Sequence, residues 1–197
     1  NKWPSLDNLA TATEPQILKF WSGLGYYSRA RNLLKSAKIV KKNFNSIIPD
    51  NYEDLIKLPG IGDYTAKAIL GIAYNKPIMP TDANIERILV RLFAIEKPII
   101  NIKEKLKYIA NKFISKKSSS NLIQSFMDYG SSICLPRNPK CYECKIKQMC
   151  SYYKSENKVK FKKKIKTKIK SYDIFCYLKK NTKQIALTKS NKLGFLK

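Results

Sequence analysis

The spacing of the apolar residues is the feature that most constrains the fold of this chain. From about Glu14 to Ser132 they recur three and four residues apart, which is typical of amphipathic helices. Groups that share one helical face are Ile17, Leu18 and Trp21; Ile69, Leu70, Ile72 and Ala73; Ile85, Ile88, Leu89 and Leu92; and Leu106, Ile109, Ala110 and Phe113. Short breaks rich in Pro, Gly and Ser separate these groups, so the pattern predicts an all-α domain of short helices.

Composition narrows the class of protein. The 197 residues suffice for one large domain, or for one domain and part of another. An apolar content of 44% excludes a disordered or fibrous chain, and no apolar run is long enough to span a membrane. The net charge of +25 favours an anionic partner, most commonly nucleic acid. Codon bias in an AT-rich genome is the alternative, because only 5 of the 39 cationic residues are Arg.

Histidine is absent, which excludes an imidazole base or a His metal ligand. The five cysteines are odd in number, and four of them cluster with six, two and five residues between them. This arrangement suits a metal site better than disulfides and indicates a reducing cytosol. Spacing alone leaves Zn²⁺ and an iron–sulfur cluster both open. The clustered residues are Cys134, Cys141, Cys144 and Cys150.

The composition changes after Cys150. Eight Lys and no acidic residue lie between Lys158 and Lys170, which predicts a solvated linker or, alternatively, an arm that follows phosphates. Apolar runs then flank five polar residues and predict a β-hairpin, with Cys176 as an ordinary buried thiol. We therefore expect a helical domain at 1–133, a cysteine loop at 134–151, a linker at 152–170 and the start of a second domain at 171–197. Since the chain begins with Asn1 and ends in Gly-Phe-Leu-Lys, we also expect a piece of a longer protein.

A hairpin between two helices is predicted at 58–66, with the sequence LPGIGDYTA. Two Gly one residue apart permit a tight turn with φ > 0, and it leaves free amides at the start of a helix expected from Asp63 to about Tyr74. Such amides attract phosphate oxygens, and such a turn binds a DNA backbone without reading its sequence. A plain helical corner capped by Asp63 is the alternative. The residues expected to contact DNA are Leu58, Gly60, Ile61, Gly62 and Thr65.

These motifs together resemble the helix–hairpin–helix DNA glycosylase superfamily, and within it the MutY adenine DNA glycosylases. The resemblance rests on Gly23-Leu24-Gly25-Tyr26-Tyr27, on the hairpin with Tyr64, and on the order of the four cysteines. It covers about Trp3 to Cys150 and continues more faintly to Lys197. It implies a mainly α fold with a [4Fe–4S] loop, followed by the start of a Nudix-like domain that recognises 8-oxoguanine.

The resemblance places the catalytic carboxylate at Asp82, with Asn84 beside it. Asp82 also opens a helix, so an N-cap is the simpler explanation, and the two roles are compatible. A fixed carboxylate stabilises the sugar cation that forms when an N-glycosidic bond breaks. The family usually has Gly where this chain has Ala83, which is tolerable if that residue is helical.

Tyr64 occupies the position of the Schiff-base lysine of endonuclease III, and a phenol cannot form an imine. The implied enzyme therefore removes a base without cutting the strand. A core aromatic is the alternative for Tyr64, and nothing in the sequence marks the nearby Lys67 as desolvated. In the family, a Glu upstream of the position of Asn1 protonates the adenine. Neither Glu14 nor Glu53 matches that motif, so we expect this chain to be catalytically incomplete.

The resemblance also implies roles for an aromatic pair and for the cysteines. Tyr26 is expected to wedge beside 8-oxoguanine while adenine is flipped out, with Tyr27 as a second DNA contact. Packing of both rings is the alternative. The four cysteines are expected to hold the cluster, which shapes a DNA-binding loop together with the cationic side chains of Arg137, Lys140, Lys145 and Lys147.

The function expected is thus hydrolysis of adenine from double-stranded DNA opposite 8-oxoguanine or guanine. It would be carried out by a monomer in the bacterial cytoplasm, associated with the nucleoid. Two alternatives stay open: a pyrimidine glycosylase and lyase similar to endonuclease III, and a noncatalytic helix–hairpin–helix module that only binds DNA.

Overall fold

The computed structural model describes residues 2–95, 102–114, 117–155, 177–178 and 185–186. The chain divides into two compact units, Asn1–Phe161 and Lys162–Lys197. The boundary between the units falls inside the predicted linker at 152–170. Within the described residues, no helix is both long enough and apolar enough to cross a membrane.

The described part of the first unit is mainly helical, which confirms the predicted all-α domain and leaves the iron–sulfur loop and the Nudix-like domain as predictions. A π-helical turn at Ile69–Ala73 continues α5, and a 3₁₀ turn at Lys147–Met149 precedes α9. Helical structure therefore extends past residue 151, to Lys154. The helices are α1 (Leu6–Ala10), α2 (Glu14–Phe20), α3 (Ser28–Asn43), α4 (Tyr52–Leu55), α5 (Asp63–Ala68), α6 (Ala83–Leu92), α7 (Ile102–Phe113), α8 (Ser119–Ser132) and α9 (Ser151–Lys154).

Local capping explains where the first helices begin. The α1 helix starts earlier than the apolar spacing predicts, because Ser5 Oγ accepts a hydrogen bond from the Asn8 amide at 3.1 Å. The α2 helix begins with a capping box. In it, Thr13 Oγ1 accepts from the Gln16 amide at 3.4 Å, while Gln16 Oε1 accepts from the Thr13 amide at 2.9 Å.

Three apolar clusters form the core of this unit. The first joins α6, α7 and α8 through Ile85, Leu89, Leu106 and Ile123. The second joins α3 to the hairpin region through Val40, Leu55, Leu58, Ala66 and Leu70, and the third joins α2 to α3 through Ile17, Ala30 and Leu34. The predicted helical faces are therefore the buried or half-buried ones, except that Ala73 and Phe113 are exposed.

In the second unit, Tyr177–Leu178 (β1) and Ile185–Ala186 (β2) pair antiparallel. Tyr177 lies opposite Ala186 and Leu178 opposite Ile185, so the two strands pair as an antiparallel hairpin at the predicted place. The rest of both predicted strands, Cys176 and the lysine-rich run 158–170 lie outside the described residues.

Candidate functional site

The hairpin between α4 and α5 is tied to the core as the sequence predicts. Leu58 is buried and Ile61 packs on the same cluster. Gly60 has φ +82°, and a Cβ placed on it would lie 2.8 Å from Asn32 Cβ. Ser36 Oγ in α3 donates to the Pro59 carbonyl at 2.8 Å. The long helix α3 thus supports the turn from behind, and only glycine fits at position 60.

The start of α5 differs from the simpler alternative of a cap by Asp63. Gly62 is the N-cap residue, with an extended backbone (φ −97°, ψ −178°), so the positive φ considered for this glycine does not occur. Asp63 lies in the first turn, where its carboxylate accepts from the Tyr52 hydroxyl at 2.8 Å. No side chain caps α5, so the amides of its first turn have no side-chain acceptor.

Asp82 is the N-cap of α6. Its Oδ1 accepts hydrogen bonds from the amides of Asn84 at 2.9 Å and Ile85 at 2.8 Å. The Asn84 side-chain amide lies 3.4 Å from the second carboxylate oxygen. Ala83 is the first residue of the helix, so its Cβ is compatible with the local backbone. The carboxylate is half-buried at the positive end of a ten-residue helix.

Tyr64 lies close enough to Asp82 for the two groups to interact. Burial raises the pKa of the Tyr64 phenol, and the negative charge of Asp82 raises it further. The ring is 40% exposed, so it is not the core aromatic of the alternative interpretation. The charge of Asp82 therefore acts on a residue that lies 18 positions away in the sequence.

Lys67 is more desolvated than its sequence context indicates. Its side chain is 12% exposed, and burial lowers its pKa despite the Asp63 carboxylate 2.5 Å away. The other charge that acts on it is Lys107 in α7. Lys67 thus belongs to a cluster with Asp63 and Lys107, and the interactions described for it give no support to an imine at this lysine.

Two arginines on α6 connect the Asp82 helix to the cysteine loop. Arg87 Nε donates to the Cys134 carbonyl at 2.7 Å, and its Nη2 donates to Asn84 Oδ1 at 2.8 Å and the Gly130 carbonyl at 2.6 Å. Arg91 is 3% exposed; its Nη1 donates to the Leu135 carbonyl at 2.7 Å and to Cys134 Sγ at 3.2 Å. The sequence analysis did not identify either arginine as part of the site. Their spacing of four residues on one helix was the signal that could have indicated them.

The four clustered thiols line one small cavity, beside Arg91. Burial raises the pKa of the Cys141 thiol, and electrostatic repulsion from the other three cysteines raises it further. In the described part of the chain, no group of three or more His, Cys, Asp or Glu is arranged to hold a metal ion.

Tyr26 and Tyr27 lie in the turn before α3. Tyr26 is 82% exposed and has φ +46°, which is uncommon for an aromatic residue. Tyr27 is the N-cap residue of α3 and is partly exposed. Tyr26 is thus not a packing residue, and its backbone is held in the left-handed region between Gly25 and α3.

Glu14 and Glu53 are the two glutamates that precede the hairpin. Glu14 pairs with Arg31 Nε at 2.7 Å. Glu53 is exposed in the first turn of α4. Neither has a described contact with Asp82 or Tyr64.

The chain is similar in sequence to known DNA glycosylases. The chain is 44% identical over 155 residues to an adenine DNA glycosylase of Buchnera aphidicola subsp. Baizongia pistaciae, covering 77% of this chain and 43% of that relative. It is 34% identical over 152 residues to the human adenine DNA glycosylase, covering 76% of this chain and 28% of the human one. The chain thus spans less than half the length of these curated relatives.

Solved structures share the fold. A thermostable thymine-DNA glycosylase has a TM-score of 0.68 at 26% identity, covering 78% of this chain and 72% of that one. An endonuclease III in a noncovalent DNA complex has a TM-score of 0.65 at 23% identity, covering 79% and 72%, and shows the fold alone. Residues 1–116, which include the hairpin and Asp82, match the family described as HhH-GPD superfamily base excision DNA repair protein, and the chain belongs to that family.

Proposed function

We propose that this chain forms the central part of an adenine DNA glycosylase, which hydrolyses the N-glycosidic bond of adenine paired with 8-oxoguanine or guanine. The observation that carries the proposal is the Asp82 carboxylate, which two backbone amides fix at the start of α6 and whose charge acts on Tyr64 in the first turn after the hairpin. The names of the relatives support adenine as the base removed. Bacterial relatives support a place with the nucleoid in a bacterial cytoplasm.

Binding of duplex DNA is assigned to the hairpin and the turn before α3. The uncapped amides of α5, with Thr65 in its first turn, would receive a phosphate, and Gly60 and Gly62 would let the backbone come close to it. Leu58 and Ile61 hold the turn to the core. Tyr26, with Tyr27 beside it, would enter the base stack opposite the flipped adenine.

The chemistry is assigned to Asp82. When a general acid protonates the adenine, the C1′–N9 bond breaks and its electrons leave with the base. The Asp82 carboxylate then stabilises the positive charge at C1′ until water adds there and loses a proton. Two backbone amides fix the carboxylate in place, and the Asn84 side chain supports its second oxygen.

Tyr64 would lie next to the target sugar without forming a covalent bond. A phenol carries no amine and cannot form an imine with the sugar, so the strand stays intact after base release. This distinguishes the proposed enzyme from a pyrimidine glycosylase and lyase.

The general acid is not assigned to Glu14 or Glu53, since the first is paired with Arg31 and the second is exposed on α4. We therefore expect the 197-residue chain alone to release adenine very slowly, since a general acid contributes roughly 10²–10⁴ in rate.

A [4Fe–4S] cluster is the cofactor proposed for the four cysteines. Its ligands would be Cys134, Cys141, Cys144 and Cys150, which line one cavity. The cluster would supply structure for the loop and no hydrolytic step, and the cationic side chains of Arg137, Lys140, Lys145 and Lys147 would supply its positive charge.

A single-turnover excision assay tests the proposal. It compares this chain, a chimaera with the upstream segment of the Buchnera relative fused before Asn1, and that chimaera with Asp82→Asn. We expect adenine release opposite 8-oxoguanine only from the unsubstituted chimaera, with a loss on the order of 10²–10³ in the variant. The variant keeps a side-chain oxygen for the helix cap, so it should stay folded.

Three outcomes would contradict parts of the proposal. Full activity of the Asp82→Asn chimaera would leave Asp82 as a helix cap only. Borohydride trapping of the protein on DNA would favour the lyase instead. A chimaera that binds duplexes tightly and releases no base would favour a noncatalytic module.

A further inference from the structure

The turn before α3 places an exposed aromatic ring on an unfavourable backbone. Tyr26 has φ +46°, and Gly23 and Gly25 on its N-terminal side also have positive φ. A non-glycine residue keeps such a conformation only where its surroundings enforce it. The residues around Tyr26 must therefore hold this turn in place.

Arg29 makes the contacts that hold it. Its guanidinium carbon lies 5.6 Å from the centroid of the Tyr26 ring and 5.4 Å from that of the Trp21 ring. Its Nη2 lies 3.4 Å from the Leu24 carbonyl, which accepts a weak hydrogen bond. One planar cation thus contacts both rings and the backbone of the turn between them.

Trp21 closes the turn from the other side. Its indole Nε1 donates to the Gly25 carbonyl at 3.0 Å, and its own amide donates to the Ile17 carbonyl in α2 at 2.9 Å. The turn is therefore anchored on α2 through Trp21 and on α3 through Arg29.

We infer that Arg29 is a positioning residue that presents the Tyr26 ring in the orientation in which it enters DNA. This inference rests on the wedge role proposed above for Tyr26. Inserting a ring between bases costs unstacking energy, and a ring that must first be ordered adds an entropic cost. A ring that Arg29 already holds in place avoids that second cost. Arg29 should therefore increase the preference for the mispaired duplex over the matched one and have little effect on the affinity for DNA in general.

A direct contact between Arg29 and a DNA phosphate is the competing explanation. A substitution that keeps the positive charge distinguishes the two explanations. Lys keeps the positive charge but cannot stack its point-like ammonium on two rings. A phosphate contact would therefore survive in Arg29→Lys, whereas the positioning role would not.

The experiment measures binding by the 197-residue chain to two duplexes at fixed salt. One carries 8-oxoguanine opposite adenine on a 2′-fluorinated sugar, which resists hydrolysis, and the other is fully matched. The variants are Arg29→Lys, Arg29→Met, Tyr26→Ala and the double variant Tyr26→Ala/Arg29→Lys. Circular dichroism and thermal melting establish that each is folded.

We expect Arg29→Lys to lower the ratio of the two affinities about 5- to 10-fold, since each ring contact is worth roughly 2- to 5-fold at an exposed site. Its affinity for the matched duplex should stay within about 3-fold of the parent. In the Tyr26→Ala background, the same substitution should not lower the ratio further, because Arg29 acts through that ring.

Fluorine NMR of 3-fluorotyrosine at position 26 in the free protein is the second measurement. The positioning role predicts a restrained ring in the parent and a more mobile one in Arg29→Lys.

An unchanged ring signal, or an unchanged affinity ratio where Tyr26→Ala lowers it, would overturn the inference. A uniform loss in Arg29→Met that Arg29→Lys restores would show a phosphate contact instead. If neither the parent nor Tyr26→Ala shows any preference, the proposed wedge fails, and the NMR result alone decides whether Arg29 orders the ring.

Discussion

At the scale of single residues, the two hairpin glycines have different reasons to be glycine. Gly60 has φ +82° and lies against Asn32, whereas Gly62 is extended and a Cβ there would meet nothing within 4 Å. The fold requires the first glycine. The second has open space in front of it, where a phosphate could approach.

The substitutions Gly60→Ala and Gly62→Ala should therefore separate stability from binding. We expect Gly60→Ala to lower the free energy of unfolding by about 1–2 kcal/mol from its backbone conformation, plus the cost of moving Asn32. Gly62→Ala should leave stability nearly unchanged and weaken binding of all duplexes alike. Denaturant titration and binding to a matched and a mispaired duplex measure the two effects. A large stability loss in Gly62→Ala, or a selective loss of mispair preference, would contradict this division.

Tyr64 and Asp82 offer a second test at this scale, which does not depend on activity. Burial and the Asp82 charge both raise the pKa of the phenol above its ordinary value of about 10. Removing the charge in Asp82→Asn should lower the Tyr64 pKa, and burial should still keep it above that of a free tyrosine. Ultraviolet difference titration against the Tyr64→Phe protein isolates this tyrosine from the others. An unchanged pKa would mean that the two groups do not interact.

The same shift affects stability at high pH. The unfolded phenol ionises near its ordinary pKa while the folded one stays protonated, so above about pH 10 the folded state binds more protons. The stability contributed by Tyr64 is therefore present below that pH and is lost as the pH rises.

At the scale of secondary structure, α6 is the element that links the parts of the site. It carries Asp82 at its N-cap, and Arg87 and Arg91 along the side that faces the cysteine loop. Gly130 in α8 lets the two helices approach, since a Cβ there would lie 2.6 Å from Asn84 Cβ. A change in the packing of α8 would therefore reach the residue that supports the Asp82 carboxylate.

Gly130→Ala should expose this dependence. We expect a loss of about 1–3 kcal/mol in the free energy of unfolding from overpacking, and lower excision activity in the chimaera because Asn84 must move. Ser131→Ala, at the next and exposed position, is the matched control and should change neither quantity. Thermal or denaturant unfolding with the single-turnover assay measures both. If Gly130→Ala is as stable as the wild type, the contact between α6 and α8 accommodates a Cβ more easily than the distance to Asn84 indicates.

At the scale of the whole molecule, the cysteine loop is fastened to the helical domain. Arg87 and Arg91 bind its backbone at Cys134 and Leu135, and the Lys145 amide donates to the Tyr129 hydroxyl at 2.9 Å. A ligand that orders the loop should therefore stabilise the helices to which the loop is bound.

Anaerobic reconstitution with iron and sulfide tests this coupling. We expect a brown protein with four irons, a higher melting temperature than the metal-free chain, and tighter binding to duplex DNA. Cys144→Ser should lose most of these gains, whereas the same change at Cys176, outside the cluster, should keep them. Stoichiometric zinc without iron in the purified protein would rule out the cluster.

Much of this organisation could be predicted from the sequence, because it depends on contacts between near neighbours. Helical periodicity marked the buried faces, and Asp82 caps a helix whose first amides lie two and three residues away. The hairpin followed from two glycines and their apolar flanks, and only the conformation of Gly62 was wrong. The cysteine ligands, DNA contacts and cofactor stay predictions.

Tertiary structure alone decided which distant residues meet. The proximity of Tyr64 to Asp82, the burial of Lys67 and Arg91, and the need for glycine at position 130 have no signal in the neighbouring sequence. Each depends on how two or more helices pack, which sets the desolvation, charge and space around a side chain. The sequence by itself determined a helical chain with its turns, caps and clustered thiols, whereas the packing of α5, α6 and α8 determined which of those groups share one site.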